Sequence, residues 1–308
     1  MKLLVLCNDR LALPALSQLI QSNLISGIGM TERESEVQLI VGNIAGQHAI
    51  PITFFQKKTF KNDLHTWVRE HNPDAVLVKT FPWKIPADLL DFPRFGFINF
   101  HYAPLPQWAG PNPLFWMIRN RVQEAGVTVH RMEAEVDKGP VVLQKKFPVP
   151  PGVTFGMLSS QLAYTGLELT GELLNAMTKN TLNYTPQDHS LSGWHKRPSP
   201  ADLSVNWKNM SAEDITALVN ACNPWNKGAA ATLNNWTVGF THVTPVAMNT
   251  GNAAPGTILL LNEQQGLCIA CKDNTALRVD IYYTEEGFLP GWMLARFGIR
   301  EGMSFTLS

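Results

Sequence analysis

Nowhere does this 308-residue sequence carry the roughly 18 consecutive apolar residues that a membrane-crossing helix needs, so no spanning segment is expected. It also lacks net charge: 25 Lys and Arg stand against 25 Asp and Glu, so no global field draws the chain to nucleic acid or to an anionic membrane. Cysteine is scarce, with four residues at 7, 222, 268 and 271, too few and too scattered for a disulfide framework. No GxGxxG follows the first apolar run, which argues against a dinucleotide cofactor. What is abundant is apolar residue: 45% hydrophobic with 16% charged is the composition of a chain with sizeable cores, and the length points to two domains. The opening MKLLVLCNDRLALPAL has the apolar look of a leader but no small-residue cleavage site, and Asn8-Asp9-Arg10 interrupts it early. It reads as a first buried strand of a cytoplasmic protein.

Residues 1–150 alternate apolar strands with helical stretches. Residues 3–7 precede a helical pattern at 11–21, and VQLIVG at 37–42 reads as a second strand before a helical stretch at 43–49. AVLVK at 75–79 follows the amphipathic 64–70, and FGFINF at 95–100 follows a short turn. Continuous apolar strands between helices predict an α/β domain, a doubly wound, mostly parallel Rossmann-like sheet with its crevice at the carboxyl ends of the strands. GVTVHRM (126–132) and VVLQKKFPV (141–149) read as two strands bracketing a turn, and a long helix is expected from Thr154 to about Lys179. The expected organisation is a catalytic domain over 1–182, a linker over 183–203 rich in turn residues, and a small C-terminal β-barrel over 204–308. Cys268 and Cys271 form a CxxC, yet GLCIACKDNTALRVDI reads as two alternating strands around a Lys-Asp-Asn turn, with no second pair to complete a zinc site.

The densest chemistry lies in NFHYAPLPQWAGPNP, from Asn99. Asn99 and His101 end a buried strand on one face, because strand side chains alternate. The prolines that follow fix backbone torsions, and Gly110 permits a bend. Asp137 sits in the turn between the next two strands, so an amide, an imidazole and a carboxylate can converge as oxyanion donor, proton carrier and orienting group. Spacing alone leaves structural duties open for all three: a turn cap, a satisfied core histidine and a turn former.

NFHYAPLP followed by GVTVHRMEAEVDKGPVV resembles the paired signatures of the formyltransferases that use 10-formyltetrahydrofolate, an N-x-H with a proline turn and then a GVT…D-x-G segment. LSVNW, NACNPWNKGA and APGTILLL are similar to that family's C-terminal barrel, described as OB-like. The resemblance implies that Asn99, His101 and Asp137 form a catalytic triad acting on 10-formyltetrahydrofolate as co-substrate, with no metal. It implies that Asn99 stabilises the oxyanion, that His101 shuttles the proton from the attacking amine to N10, and that Asp137 favours the imidazolium. It also implies folate contacts at Trp83, Lys84 and Ile85, at Ala103, Pro104, Leu105 and Pro106, and at Glu133, Ala134, Glu135 and Val136.

The chain departs from the pattern in ways that bear on the acceptor. Trp-Ala-Gly stands after the turn where the family has Arg-Gly, and GMTERESEVQL (29–39) replaces the basic, glycine-rich loop of the members that act on methionyl-tRNA. RNA recognition calls for clustered Lys and Arg on phosphates, so a small amine, possibly nucleotide-linked as in amino-sugar nucleotides, is the expected partner, and tRNA is disfavoured. A carrier-bound amino acid or a hydroxylated ornithine fits as well. A folate hydrolase, whose relatives carry a preceding regulatory domain, and a non-catalytic binding module are the remaining alternatives. Trp207 and Trp225 are expected in barrel packing and Lys79 as a solvated side chain at the crevice rim; His130 is open between acceptor contact and core.

Overall fold

The computed structural model describes residues 1–306, which sort into two compact units. The first comprises Met1–Pro113, Glu124–Pro148 and Ser159–Lys196; the second comprises Leu114–Gln123, Val149–Leu158 and the chain from Arg197.

The first unit is built on a seven-stranded sheet of β1 (Leu3–Cys7), β2 (Ile25–Thr31), β3 (Ile52–Phe55), β4 (Ala75–Lys79), β5 (Phe97–His101), β6 (Glu124–Arg131) and β7 (Val141–Pro148), in the order β3-β2-β1-β4-β5-β6-β7. β1 to β5 pair in parallel, and β6 turns antiparallel to both β5 and β7. Its helices are α1 (Leu13–Gln21), α2 (Glu36–Gln47), α3 (Phe60–His71) and most of α5 (Phe155–Lys179), α4 (Pro113–Arg119) falling almost wholly in the second unit. Every residue of β1 and β4 is buried, as expected of parallel strands covered on both faces. Leu4, Leu6, Val76, Val78 and Phe97 point to the face packed by Phe60, Leu64 and Trp67 of α3. This is the doubly wound α/β domain read from the sequence.

Two strands lay hidden in the sequence, and one expected strand is a helix. Residues 37–42 belong to α2, because Ser35 accepts the Gln38 N–H as an N-cap and Val37, Val41 and Ala45 repeat at helical spacing on the buried side while Leu39 points outward. β2 escaped notice because its sequence, ISGIGMT, carries two glycines, which deplete the strand signal. Gly29 leaves room for its neighbours: a Cβ would lie 2.5 Å from Leu6 and 2.7 Å from Phe55, and those side chains would have to shift.

Lys79 is also not solvated. It is fully buried on the opposite face of β4, where its Nζ donates to Thr170 Oγ1 of α5 at 2.9 Å and sits 3.1 Å over the Phe100 ring. Burial pushes its ammonium well below the ordinary lysine range, and likewise pushes the neighbouring Cys7 thiol up to about 12.

The second unit contains α6 (Ala212–Cys222), capped by a reciprocal Ser211–Asp214 box, and an antiparallel sheet of β8 (Ala229–Leu233), β9 (Trp236–Val246), β10 (Ile258–Asn262), β11 (Gly266–Ala270), β12 (Ala276–Thr284) and β13 (Gly287–Pro290). The order is β10-β11-β12-β9-β8, with β13 on β12. Ser304 bridges Thr257 and Thr306 bridges Thr232, so the end of the chain links the two edges and closes the sheet into a small barrel. Trp207 is 2% exposed and fills this core beside Phe305 and Phe240, at ring distances of 5.5 and 6.3 Å. Trp225 is 42% exposed, with its indole N–H bound to the Ala221 carbonyl. Cys268 and Cys271 are buried around the expected turn between β11 and β12, and burial raises both thiols, Cys271 to about 12. Among the described residues, no three or more His, Cys, Asp or Glu side chains gather as a metal site, and no helix is long and apolar enough to cross a membrane.

Candidate active site

The carboxyl end of β5 presents Asn99 and His101 on the face of the sheet that carries Val78, its register partner being Asn99. Antiparallel β6 sets His130 opposite Asn99 and Thr128 opposite His101. Thr128 then holds the proline turn that follows β5: its Oγ1 donates to the Ala103 carbonyl at 2.8 Å and accepts the Leu105 N–H at 3.0 Å. Gln144 of β7 donates to the Leu105 carbonyl and to Thr128 Oγ1, both at 2.9 Å. With these bonds every lone pair and proton of the buried Thr128 hydroxyl is used, so the turn is fixed by a fully satisfied network.

His101 is 7% exposed, and each of its ring nitrogens faces an oxygen. Its Nε2 lies 2.7 Å from the Trp108 carbonyl, which only accepts, so that nitrogen carries a proton; Nδ1 faces Asp137 Oδ1 at 3.6 Å. Asp137 lies in the turn between β6 and β7, as expected, and has a left-handed backbone at φ +59°. Its other oxygen accepts the Gly110 N–H at 2.9 Å. Gly110 sits at φ +119°, a conformation that glycine supplies without strain. The carboxylate therefore ties the proline turn to the β6–β7 turn.

The segment expected as a linker takes part in this site. Gln187 Nε2 donates to the carbonyls of Asp137 and Gly139 at 2.9 and 2.6 Å. The Ala109 N–H bonds to the Gly193 carbonyl, the His195 N–H bonds to the Ala109 carbonyl, and the His195 ring stacks on Trp108 at 4.5 Å. Thr185 bridges Val141 of β7. Residues up to Lys196 thus count with the first unit, because the backbone groups of 109–110 and 137–139 need partners that the sheet does not supply. Gln187, Thr128 and Gln144 were missed from sequence; isolated polar residues carry no motif that marks such a duty.

The residues expected at the folate wall fall in three places. Trp83 is half-buried, edge-on to Phe60 and Phe81 at 5.0 and 5.5 Å, with Ile85 buried beside it and Lys84 exposed. Ala103, Pro104 and Leu105 are buried and Pro106 half-buried. Glu133, Ala134, Glu135 and Val136 are exposed. Lys138 bonds Glu135 at 2.5 Å and is the main reason its carboxyl lies below the usual range; the charges of His189 and Lys84 act in the same direction. A lysine from the loop after β4 therefore acts on a glutamate of the turn before Asp137.

His130 is 1% exposed, and its Nε2 stands 3.0 Å from Asn99 Nδ2 and 3.8 Å from Asp137 Oδ1. Burial above all drives its pKa down to about 4, against the opposing pull of Asp137. The cluster thus joins a neutral imidazole, a carboxamide, a second imidazole with a carboxylate on one nitrogen, and a rigid turn.

Comparison with known proteins identifies the family. The formyl transferase pattern matches residues 22–174, and the formyl transferase C-terminal domain pattern matches residues 198–287. A methionyl-tRNA formyltransferase of Pseudomonas putida (strain GB-1) is 32% identical over 231 residues, 75% of this chain and 72% of that protein. Among solved structures, the sugar 3N-formyl transferase WlaRD, crystallised with dTDP and 5-N-formyl-THF, superposes with a TM-score of 0.67 at 15% identity, covering 90% of this chain and 96% of its own. HypX from Aquifex aeolicus in complex with tetrahydrofolic acid superposes with a TM-score of 0.64 at 18% identity over 96% of this chain, which spans about half (46%) of HypX. Catalytic-domain and C-terminal patterns in order, with a relative matched over most of both chains, give one conclusion: the chain belongs to the formyl transferase family of enzymes.

Proposed function

We propose that this formyltransferase moves the formyl group of 10-formyltetrahydrofolate to the primary amine of a small acceptor, with a nucleotide-linked amino sugar as the acceptor class. The observation that carries the chemistry is the cluster at the end of β5, where His101 Nδ1 faces Asp137 at 3.6 Å and Asn99 lies one strand step away. Folate and formyl-folate in the crystals of HypX and WlaRD support the donor.

In this reading the acceptor nitrogen attacks the formyl carbon and the carbonyl oxygen becomes an oxyanion. An Asn99 N–H donates to it; one such donor is worth roughly 3–4 kcal/mol in the transition state. His101 moves the proton from the attacking nitrogen to N10 of the folate, the C–N10 bond breaks, and tetrahydrofolate leaves with that proton. The Nε2–H stays on the Trp108 carbonyl, so Nδ1 is the nitrogen that takes and returns the proton, the Asp137 carboxylate 3.6 Å away stabilises the imidazolium formed meanwhile, and the 83–85, 103–106 and 133–136 segments form the folate wall.

A second reading, methionyl-tRNA as acceptor, draws on the sequence relatives. Against it stand the net charge of zero and the stretch 32–36, which holds three glutamates and one arginine. Arg10, close by, is already paired with Glu36. A nucleotide-linked sugar has two phosphates and needs only a few local donors, whereas a tRNA needs a basic surface. Hydrolysis, with water replacing the amine, is a third reading and uses the same groups.

His101→Ala tests the chemistry. It removes the proton carrier, so turnover falls about 10²–10⁴-fold while folate binding by calorimetry persists. Turnover at the wild-type rate with folate still bound would remove His101 from the mechanism.

A further inference from the structure

His130 has no role in the proton path above, yet it is buried at the centre of the cluster. It stands opposite Asn99 across the β5–β6 pair, at a point where the β6–β7 pairing also shifts register between Val129 and His130. Directly opposed residues in an antiparallel pair have adjacent side chains, and here Nε2 and Nδ2 meet at 3.0 Å.

A carboxamide carries an oxygen and a nitrogen of nearly equal size, so only its partners decide which end faces where. The tautomer of His130 decides it for Asn99. Nδ1 lies 3.1 Å from the Arg131 carbonyl oxygen, an acceptor only, so Nδ1 carries the proton. The ring is buried and neutral, so Nε2 is left with a lone pair and can only accept. The Asn99 group that meets it must therefore be the NH2. Asp137 Oδ1 lies 3.8 Å from the same nitrogen, and an Nε2 that carries only a lone pair has no proton to offer that carboxylate. Asn99 is half-buried between buried neighbours, so its side chain retains an open side.

We propose that His130 is a positioning residue for Asn99: as the Nδ1–H tautomer it accepts one amide N–H and leaves the other free to donate to the oxyanion. Without that acceptor the amide can rotate and present its oxygen to a developing negative charge. The inference rests on the reading of Asn99 as the oxyanion donor.

The test is steady-state kinetics on five proteins: wild type, Asn99→Ala, His130→Leu, His130→Gln and the Asn99→Ala/His130→Leu double variant, with folate affinity and thermal midpoints alongside. His130→Leu lowers kcat about 10- to 100-fold, part of the roughly 100- to 1,000-fold that loss of one oxyanion donor costs, and leaves KM and folate affinity within about twofold. His130→Gln places an amide oxygen near the position of Nε2 and recovers most of the lost kcat; it also serves if the leucine variant fails to fold. In the double variant the histidine substitution adds no further loss, because its effect runs through Asn99. Wild-type kcat in His130→Leu, multiplying losses in the double variant, or a folded His130→Gln as slow as the leucine variant would overturn the proposal. Full activity of Asn99→Ala would instead remove the oxyanion reading itself.

Discussion

Asp137 separates architecture from charge, and two substitutions distinguish them. In Asp137→Ala the left-handed backbone at φ +59° loses a residue type that tolerates it, at a cost of about 1–2 kcal/mol. The Gly110 N–H, buried and 2.9 Å from Oδ2, loses its acceptor at a further cost of about 1–3 kcal/mol. Together these predict a loss of about 2–5 kcal/mol, or a fall on the order of 5–20 °C in melting midpoint for a unit of this size. Asp137→Asn keeps an oxygen for Gly110 and a side chain suited to positive φ, so its stability stays within about 1 kcal/mol of wild type. It removes only the negative charge facing His101 Nδ1 at 3.6 Å. Turnover, followed by tetrahydrofolate release, falls about 10²–10⁴-fold in both variants if the carboxylate serves the proton-carrying imidazole, whereas scanning calorimetry shows a shift in the alanine variant alone. Asp137→Asn with wild-type turnover would refute the role of the charge, and an alanine variant as stable as wild type would refute the packing argument.

Two further outcomes concern the fold. Burial holds the Lys79 ammonium well below the ordinary lysine range, while in the unfolded chain it stays charged up to about pH 10; between the two the unfolded state binds more proton, so the lysine subtracts stability there, and less of it as pH rises towards 10. Lys79→Met is therefore more stable than wild type in thermal melts at pH 7, with the gap closing towards pH 10; a gap that is constant with pH would contradict a lysine whose ammonium is disfavoured by burial. Gly29→Ala puts a Cβ 2.5 Å from Leu6 and 2.7 Å from Phe55, and overpacking of that kind costs about 1–3 kcal/mol in denaturant unfolding; an unchanged midpoint would show that the two side chains can yield.

The parts of the molecule visible in the sequence were those with a period or a rigid motif. Continuous apolar runs gave β1, β4 and β5, and alternation around Lys272–Asn274 gave β11 and β12. The stiffness of the stretch from Asn99 to Pro113 marked where chemistry would concentrate. β2 was masked by Gly27 and Gly29, whose value is in packing rather than propensity, and α2 was misread because VQLIVG is apolar enough for either element until Ser35 is recognised as its cap. Lys79 looked exposed because a lone charge at a strand end ordinarily is; only the packing of α5 shows Thr170 waiting for it. The ties from Gln187 and from residues 193–195 are long-range backbone bonds, which leave no local pattern in a polar segment.

The central claim, formyl transfer from a folate donor to a small amine, is tested most directly by supplying 10-formyltetrahydrofolate with a panel of acceptors and measuring both tetrahydrofolate release and the formylated product by mass spectrometry. The panel holds amino-sugar nucleotides, methionyl-tRNA, carrier-bound amino acids and a control with water alone. The account predicts a formamide on an amino-sugar nucleotide in step with tetrahydrofolate release, with little release in water and no formylation of methionyl-tRNA at moderate salt. Efficient formylation of methionyl-tRNA with every amino-sugar nucleotide inert, or full release of tetrahydrofolate in water alone, would contradict it.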